Sequence, residues 1–395
     1  MLPQAEAPGA IPLVLYAQVT GLAVRHSVTL ISLAEPHERL AAQALRACGI
    51  QIHTIERGEP HGLARWERRW RFARTWLRGQ QPFRTIWFWD KRVQQTIDEL
   101  LARNPYDIVI AEDNATGIYR FETRAPRVLT EHEVRRPRSI DWQSIAGEKS
   151  WRVLLRELDW QHWRNYHLAV WRRFDGIQAF TARDAAAIQT LAPEVAARVR
   201  VNPFGVALPA IDNLSREDAN EIIFIGNMTH PPNVDAAVWL GREIMPELIK
   251  LIPSAHLTIV GDSPPAEVRA LANDNIAIAG YVPTIAPYLE RAAVIVAPIR
   301  IGGGQRMKVL QGLAYGKAVV TTPRGADGLD IEGCAPPLSI ATDTASLAQA
   351  IAELLASATA RHNLGQRARA FVEQHYSPAA YARRLEKIYG ELIRK

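Results

Sequence analysis

Residues 293–322 constrain this chain more than any other stretch. In order they read as an apolar run, Ala293-Val294-Ile295-Val296-Ala297-Pro298, a glycine loop, Gly302-Gly303-Gly304-Gln305-Arg306-Met307-Lys308, an apolar helix that breaks at Gly316, and a second apolar run, Ala318-Val319-Val320-Thr321-Thr322. Short apolar runs on either side of a helix fit strands buried on both faces. Successive glycines let the backbone approach a ligand closely and turn its N–H groups inward. A helix opening at about Gln305 adds its positive end, and Arg306 and Lys308 add two cations in its first turn. That combination suits a diphosphate. Lys308 and Gln311 look the same way along the helix, which puts Gln311 behind the phosphates where a ribose would lie, while Leu310, Leu313 and Ala314 face the core. The plainer alternative is a helix start with a glycine hinge and two solvated cations; the flanking buried strands favour the site.

The same rhythm runs through the chain. Helices are expected over 11–25, 40–47, 91–102 and 150–174, with strands at 28–33, 51–55, 107–111, 127–130 and 176–180. From Ile222 onward, strands at 222–226, 256–260, 276–279, 293–297 and 318–322 alternate with helices. Such βαβα alternation implies two doubly wound parallel sheets, and 395 residues suffice for two cores. The turn-rich stretch from Asn202-Pro203-Phe204-Gly205 to Asn220 separates them.

The run from Val296 to Leu329 resembles the nucleotide-sugar loop of family 4 glycosyltransferases, in their triple-glycine branch. Phe224-Ile225-Gly226-Asn227-Met228 with Pro232-Asn233-Val234-Asp235 resembles the first strand and loop of that family's donor domain. His256 to Asp262 resembles its second strand, and Gly280-Tyr281-Val282-Pro283 the turn lining the base pocket. The resemblance implies an α/β GT-B fold, two Rossmann-like domains facing a cleft: residues 1–203 on the acceptor side, a linker over 204–220, a donor domain over 221–376, and a last helix, 377–395, crossing back. It implies a retaining glycosyltransferase that needs no cofactor beyond its nucleotide-sugar substrate. Gly226, Asn227, Gly261, Tyr281, Val282, Gly302, Gly303, Gly304, Gln305 and Gln311 would bind the donor. Arg306, Lys308 and the loop amides would stabilise charge growing on the departing diphosphate, with no metal ion.

Departures from the family pattern carry information. Of two acidic positions eight apart, the first reads Gly303, as usual in this branch, and the second reads Gln311 in place of a glutamate that grips the ribose. A glutamine keeps one acceptor oxygen and loses the charge, so weaker donor binding is expected. Residues 221–241 hold no Lys or Arg, which leaves the phosphates to Arg306 and Lys308. The family's opening strand does not show: Pro8-Gly9-Ala10 resembles the loop that follows it, the seven residues before it do not read as a strand, and either the true start lies upstream or the chain lacks that strand. Losing a central strand would expose a sheet edge. These departures keep a second class open, a non-catalytic nucleotide-sugar-binding or partner subunit. Nothing distinguishes a GT-B epimerase or phosphorylase.

In the first half, Glu131-His132-Glu133 follows a strand, and His132 resembles the family's histidine that faces the donor sugar. His132-Glu133-Val134-Arg135-Arg136 lacks the second histidine of a zinc-protease helix. Glu112 and Asp113 end the preceding strand; with Gly9 they are acceptor-side candidates, the alternative being loop caps.

Charge is uneven. Residues 1–205 hold 29 Lys and Arg against 22 Asp and Glu; residues 206–395 hold 18 against 19. Between His61 and Arg92 there are nine basic and two acidic residues, with five of the chain's eleven tryptophans. Leu63, Trp66, Trp70 and Leu77 fall near one helical face. A tryptophan-edged basic helix suits an anionic membrane surface, and core-filling tryptophans with solvated arginines remain the alternative. A nucleic-acid partner is not expected, since no such motif accompanies the charge. Cys48 and Cys334 stand alone, pointing to a reducing compartment and no structural zinc. No run reaches the roughly 18 apolar residues of a membrane span, and residues 1–24 lack a signal peptide's charged start. The expectation is a cytoplasmic protein acting on a glycan or lipid-linked acceptor, peripheral on the inner face of the plasma membrane if the basic segment binds lipid.

Overall fold

The structure, a computed structural model, describes all residues except 1, 5–9, 36–37, 58–65, 67–69, 71–73, 77, 80–81, 83–84, 86–87, 133, 135–149, 210–216, 303–305, 332 and 395. Two compact units result: one holds Leu2, Leu22–Asn202 and Ala382–Lys395, the other Pro3–Gly21 and Pro203–Tyr381.

After α1 (Ala10–Ala23), the first unit alternates β1 (Thr29–Ala34), α2 (Arg39–Ala47), β2 (Gln51–Glu56), α3 (Lys91–Arg103), β3 (Val109–Glu112), β4 (Arg127–Glu131), α4 (Ser150–Trp171), β5 (Gly176–Ala179), α5 (Ala182–Leu191) and β6 (Val199–Val201). Strands β3, β4, β5 and β6 form a parallel sheet in that order, with Val109 opposite Arg127 and Val128 opposite Gly176. Its core is aromatic: Trp163, Tyr166, Trp171 and Phe174 pack with Leu129, Ile177 and Ile188. Strands β1 and β2 pair in parallel as a separate sheet, and no described residue before α1 lies in a strand. Burial follows from this. All of β5 is buried, whereas β1 is only partly covered at five of its six positions.

The second unit continues with β7 (Glu221–Ile225), α6 (Pro231–Trp239), a π-helical turn (Leu240–Ile244), α7 (Met245–Leu251), β8 (His256–Val260), α8 (Ala266–Arg269), β9 (Ile276–Gly280), α9 (Ala286–Arg291), β10 (Val294–Ala297), α10 (Met307–Ala314), β11 (Ala318–Thr321), α11 (Pro323–Ala326), β12 (Ser339–Ile340), α12 (Thr344–Ala356) and α13 (Ala358–His375), and with the start of α14 (Pro378–Ile393), whose residues from Ala382 onward belong to the first unit. All six strands are parallel, in the order β12-β11-β10-β7-β8-β9. Sequence order reverses between β7 and β10. At that switch point the loops leaving the carboxyl ends of both strands diverge and open a crevice. The glycine loop leaves β10 and the 226–230 loop leaves β7, so the two glycine-bearing segments meet there. The far end of α10 is fastened by Arg369, whose guanidinium donates to Ala314 O at 2.5 Å and Pro209 O at 3.0 Å.

Candidate functional site

Two close approaches shape the crevice of the second unit. At Gly261, just past β8, a Cβ would lie 1.8 Å from the Gly226 carbonyl oxygen, so only glycine lets the loops after β7 and β8 touch. Gly302, at φ +92°, adopts a backbone conformation that L side chains avoid, and a Cβ there would stand 2.9 Å from Pro232 in the first turn of α6. The glycine loop thus lies against the start of α6. Gly303, Gly304 and Gln305 fall outside the described residues.

Helix α10 begins at Met307 instead of Gln305. Arg306 is its N-cap, with non-helical φ −86° and ψ 78°. The reason is tertiary: the buried Arg306 guanidinium donates to Gly302 O at 3.0 Å and Arg324 O at 3.3 Å, tying the loop's two sides together. Lys308 lies in the first turn, partly buried, with its ammonium 4.8 Å from the centre of the Phe224 ring and donating to Asn233 Oδ1. Burial drives this ammonium's pKa down to about 7, and the Arg306 charge pushes the same way. His230, the N-cap of α6, is also held below its ordinary value, first by burial and then by the Lys308 and Arg306 charges. Three nitrogen bases therefore crowd two helix starts, which is a cradle for an anion.

His230 and Asn233 were not among the residues singled out from sequence. The loop after β7 lacks Lys and Arg, yet it serves the cradle through these two. Only the signal Thr-His-Pro-Pro-Asn at a helix start hinted at them. Asn227 is engaged locally: its Oδ1 accepts from Thr229 N at 2.9 Å and Thr229 Oγ1 at 2.7 Å, an Asx turn that shapes the loop. Gly261 N donates to Gly280 O at 2.9 Å, which brings the β9 end and its neighbours Tyr281 and Val282 to the same rim; Tyr281 is 60 % exposed. Gln311 is partly buried on α10, one turn beyond Lys308.

The first unit has a second polar cluster. His132 follows β4 and pairs through Nε2 with Glu112 at 3.3 Å, its ring 5.1 Å from that of Phe180. Burial alone would lower the His132 pKa, but the Glu112 hydrogen bond and the charges of Glu112, Asp113 and Glu131 outweigh it and raise it. Thr130 Oγ1 holds the other Glu112 oxygen at 3.1 Å. Behind them Glu131, fully buried, accepts from Trp171 Nε1 at 2.6 Å and Asn114 Nδ2 at 3.2 Å. Asp113 takes the loop-cap role: its Oδ1 accepts from Ala115 N at 3.0 Å, on a backbone strained to φ +68°. Gly9 and Glu133 lie outside the described residues.

Residues 219–357 match the family model described as glycosyl transferases group 1. Solved structures match along nearly the whole chain. One is a glycosyltransferase from Rickettsia africae ESF-5 (TM-score 0.64, 14% identity, covering 100% of this chain and 97% of that one). Another is Anabaena Alr3699/HepE in complex with UDP and glucose (TM-score 0.63, 15% identity, 99% and 98%). A third is WaaG, a glycosyltransferase involved in lipopolysaccharide biosynthesis (TM-score 0.59, 13% identity, 97% of each). The fold is GT-B. No curated protein matches by sequence. In GT-B terms the second unit is the Rossmann-like domain that carries the matched segment, and the cradle at its switch point lies inside residues 219–357.

Proposed function

We propose that the chain is a retaining glycosyltransferase, moving a sugar from a nucleotide-sugar donor to a glycan, lipid-linked or other cell-envelope acceptor without a metal ion. The observation that carries this reading is the cradle of nitrogen groups formed by Arg306, Lys308 and His230 at two helix starts beside Gly302. It is supported by the group 1 family match across the same residues and by a structural neighbour crystallised with UDP and glucose. As the sugar–phosphate bond breaks, negative charge grows on the diphosphate. Lys308, Arg306 and the loop amides stabilise that charge more than the ground state, which lowers the barrier. In the first unit, His132 held by Glu112 is the catalytic candidate; in the second, Gly226, Gly261, Tyr281 and Val282 serve the donor's nucleotide end, and Gln311 its ribose.

Gln311 favours a second reading, a binding subunit that holds a nucleotide sugar without turning it over. Purified protein should hydrolyse or transfer at least one UDP-, GDP- or ADP-sugar, and Lys308→Ala should lose at least tenfold in turnover, the scale of one charged hydrogen bond. Nucleotide-sugar binding with no turnover across the three series sinks the catalytic reading and leaves the binding subunit. The paired Trp66 and Trp70, 63 % and 59 % exposed with ring centroids 5.4 Å apart, support docking of the basic segment on an anionic membrane.

A further inference from the structure

A partly buried ammonium ordinarily finds a carboxylate. Among the described residues Lys308 does not: its partners are the Asn233 amide oxygen and the Phe224 ring. The amide's orientation is fixed from its other end, where Asn233 Nδ2 donates to Asn227 O at 2.7 Å, so the oxygen must face Lys308. Gly226 leaves the space that the amide occupies; a Cβ there would sit 2.8 Å from Asn233 Cγ. The charged groups that face Lys308 from neighbouring elements are Arg306, from the loop before α10, and His230, at the start of α6. The acid on α6, Asp235, is held by Arg300 at 2.7 Å, and Glu221, at the opposite end of β7, by Arg291 at 3.1 Å.

We propose that Asn233 is a positioning residue: its amide holds the Lys308 ammonium between the starts of α6 and α10 and leaves the charge uncompensated, so that the donor's diphosphate becomes the counter-ion of Lys308. This rests on the reading of the loop as a diphosphate site. The choice of amide has a physical reason. An aspartate would grip the ammonium more strongly but would cancel its charge and repel the phosphates. An apolar residue would leave a buried donor unsatisfied and its direction unset. The arrangement also links binding to a proton. The free ammonium is lowered to about 7, and two phosphates beside it must raise it again, so binding at neutral or higher pH takes up a proton.

The test is calorimetric titration with UDP from about pH 6 to 9, where the free lysine changes charge. The affinity of each protein is divided by that of Lys308→Met at the same pH, which cancels the titration of the phosphates themselves. The wild-type advantage should be largest at the acid end and should fall above pH 7 by up to about tenfold per unit. Asn233→Asp should cut the advantage at neutral pH by about tenfold and move its fall to higher pH, because a carboxylate keeps the ammonium charged. Asn233→Ala should cut it too and move the fall to lower pH; this variant decides the matter if the aspartate form does not fold. If both variants keep the wild-type advantage and its pH course, Asn233 has no positioning role, even where Lys308→Met is weak. If wild type and Lys308→Met bind UDP equally, the diphosphate reading itself falls.

Discussion

Lys308 and His132 are two site candidates that their surroundings perturb, and their shifts run in opposite directions. Lys308 is depressed from 10.5 to about 7, so between those values the unfolded chain binds more protons than the folded one. Stability of the ligand-free protein should therefore rise with pH across that window. Lys308→Met removes the penalty: it should melt higher at pH 7 by a few degrees, about 1 kcal/mol or more, while UDP binding weakens. Scanning calorimetry in which the variant melts lower would contradict the placement of the charge. His132 is raised above its usual 6.5. Its contribution is fully present below the ordinary value and is lost as pH rises through the raised one. Glu112→Gln takes away the first of the partners that together outweigh burial, so the ring titration followed by NMR should move down. A titration left in place would show that Glu112 does not set it.

At the scale of elements, the crevice depends on backbone contact where β7 and β8 end. Gly261→Ala forces a methyl group onto the Gly226 carbonyl, which sits where the Cβ must go, 1.8 Å away. The loops must separate, at a cost of about 2–4 kcal/mol, and the cradle loses its floor. Gly390, inside α14, is the contrast. The nearest heavy atom a Cβ would meet is 4.0 Å away, so Gly390→Ala should stabilise by up to about 1 kcal/mol through helix propensity. Chemical denaturation of the two variants checks both signs together. The sequence map found most of these elements within one or two residues, since long apolar runs and helix periods are local signals. It missed β6 and β12, three and two residues long, because strands that short carry no alternation to read. It opened α10 two residues early, because the Arg306 bonds that delay the helix come from residues 302 and 324.

For the whole molecule, the consequence of a first unit with two separate sheets is an incompletely covered β1, while the second unit's six strands form one open sheet whose inner strands β10 and β11 are buried throughout and whose edge strands β9 and β12 are partly exposed. Among the described residues no helix is long and apolar enough to cross a membrane. Among the described residues, Trp66 and Trp70 are the exposed large aromatics of the basic segment. Wild-type protein should co-sediment with anionic vesicles and less so as salt rises, and the Trp66→Ala, Trp70→Ala double variant should stay in the supernatant. Equal partitioning of wild type onto neutral and anionic vesicles would leave these rings without that role.

Patterning by itself determined the βαβα order, the parallel sheets and the location of the glycine loop, because each is written in a local run of residues. It also flagged Arg306, Lys308 and His132, whose chemistry follows from residue type and place in a motif. Only tertiary structure decided what those groups touch. That Arg306 clamps its own loop, that Lys308 meets an amide in place of a carboxylate, and that Glu112 governs His132 all depend on segments 4 to 75 residues apart in sequence being folded together. Charge and hydrogen bonding act over a few ångströms of space, and no spacing along the chain encodes those distances.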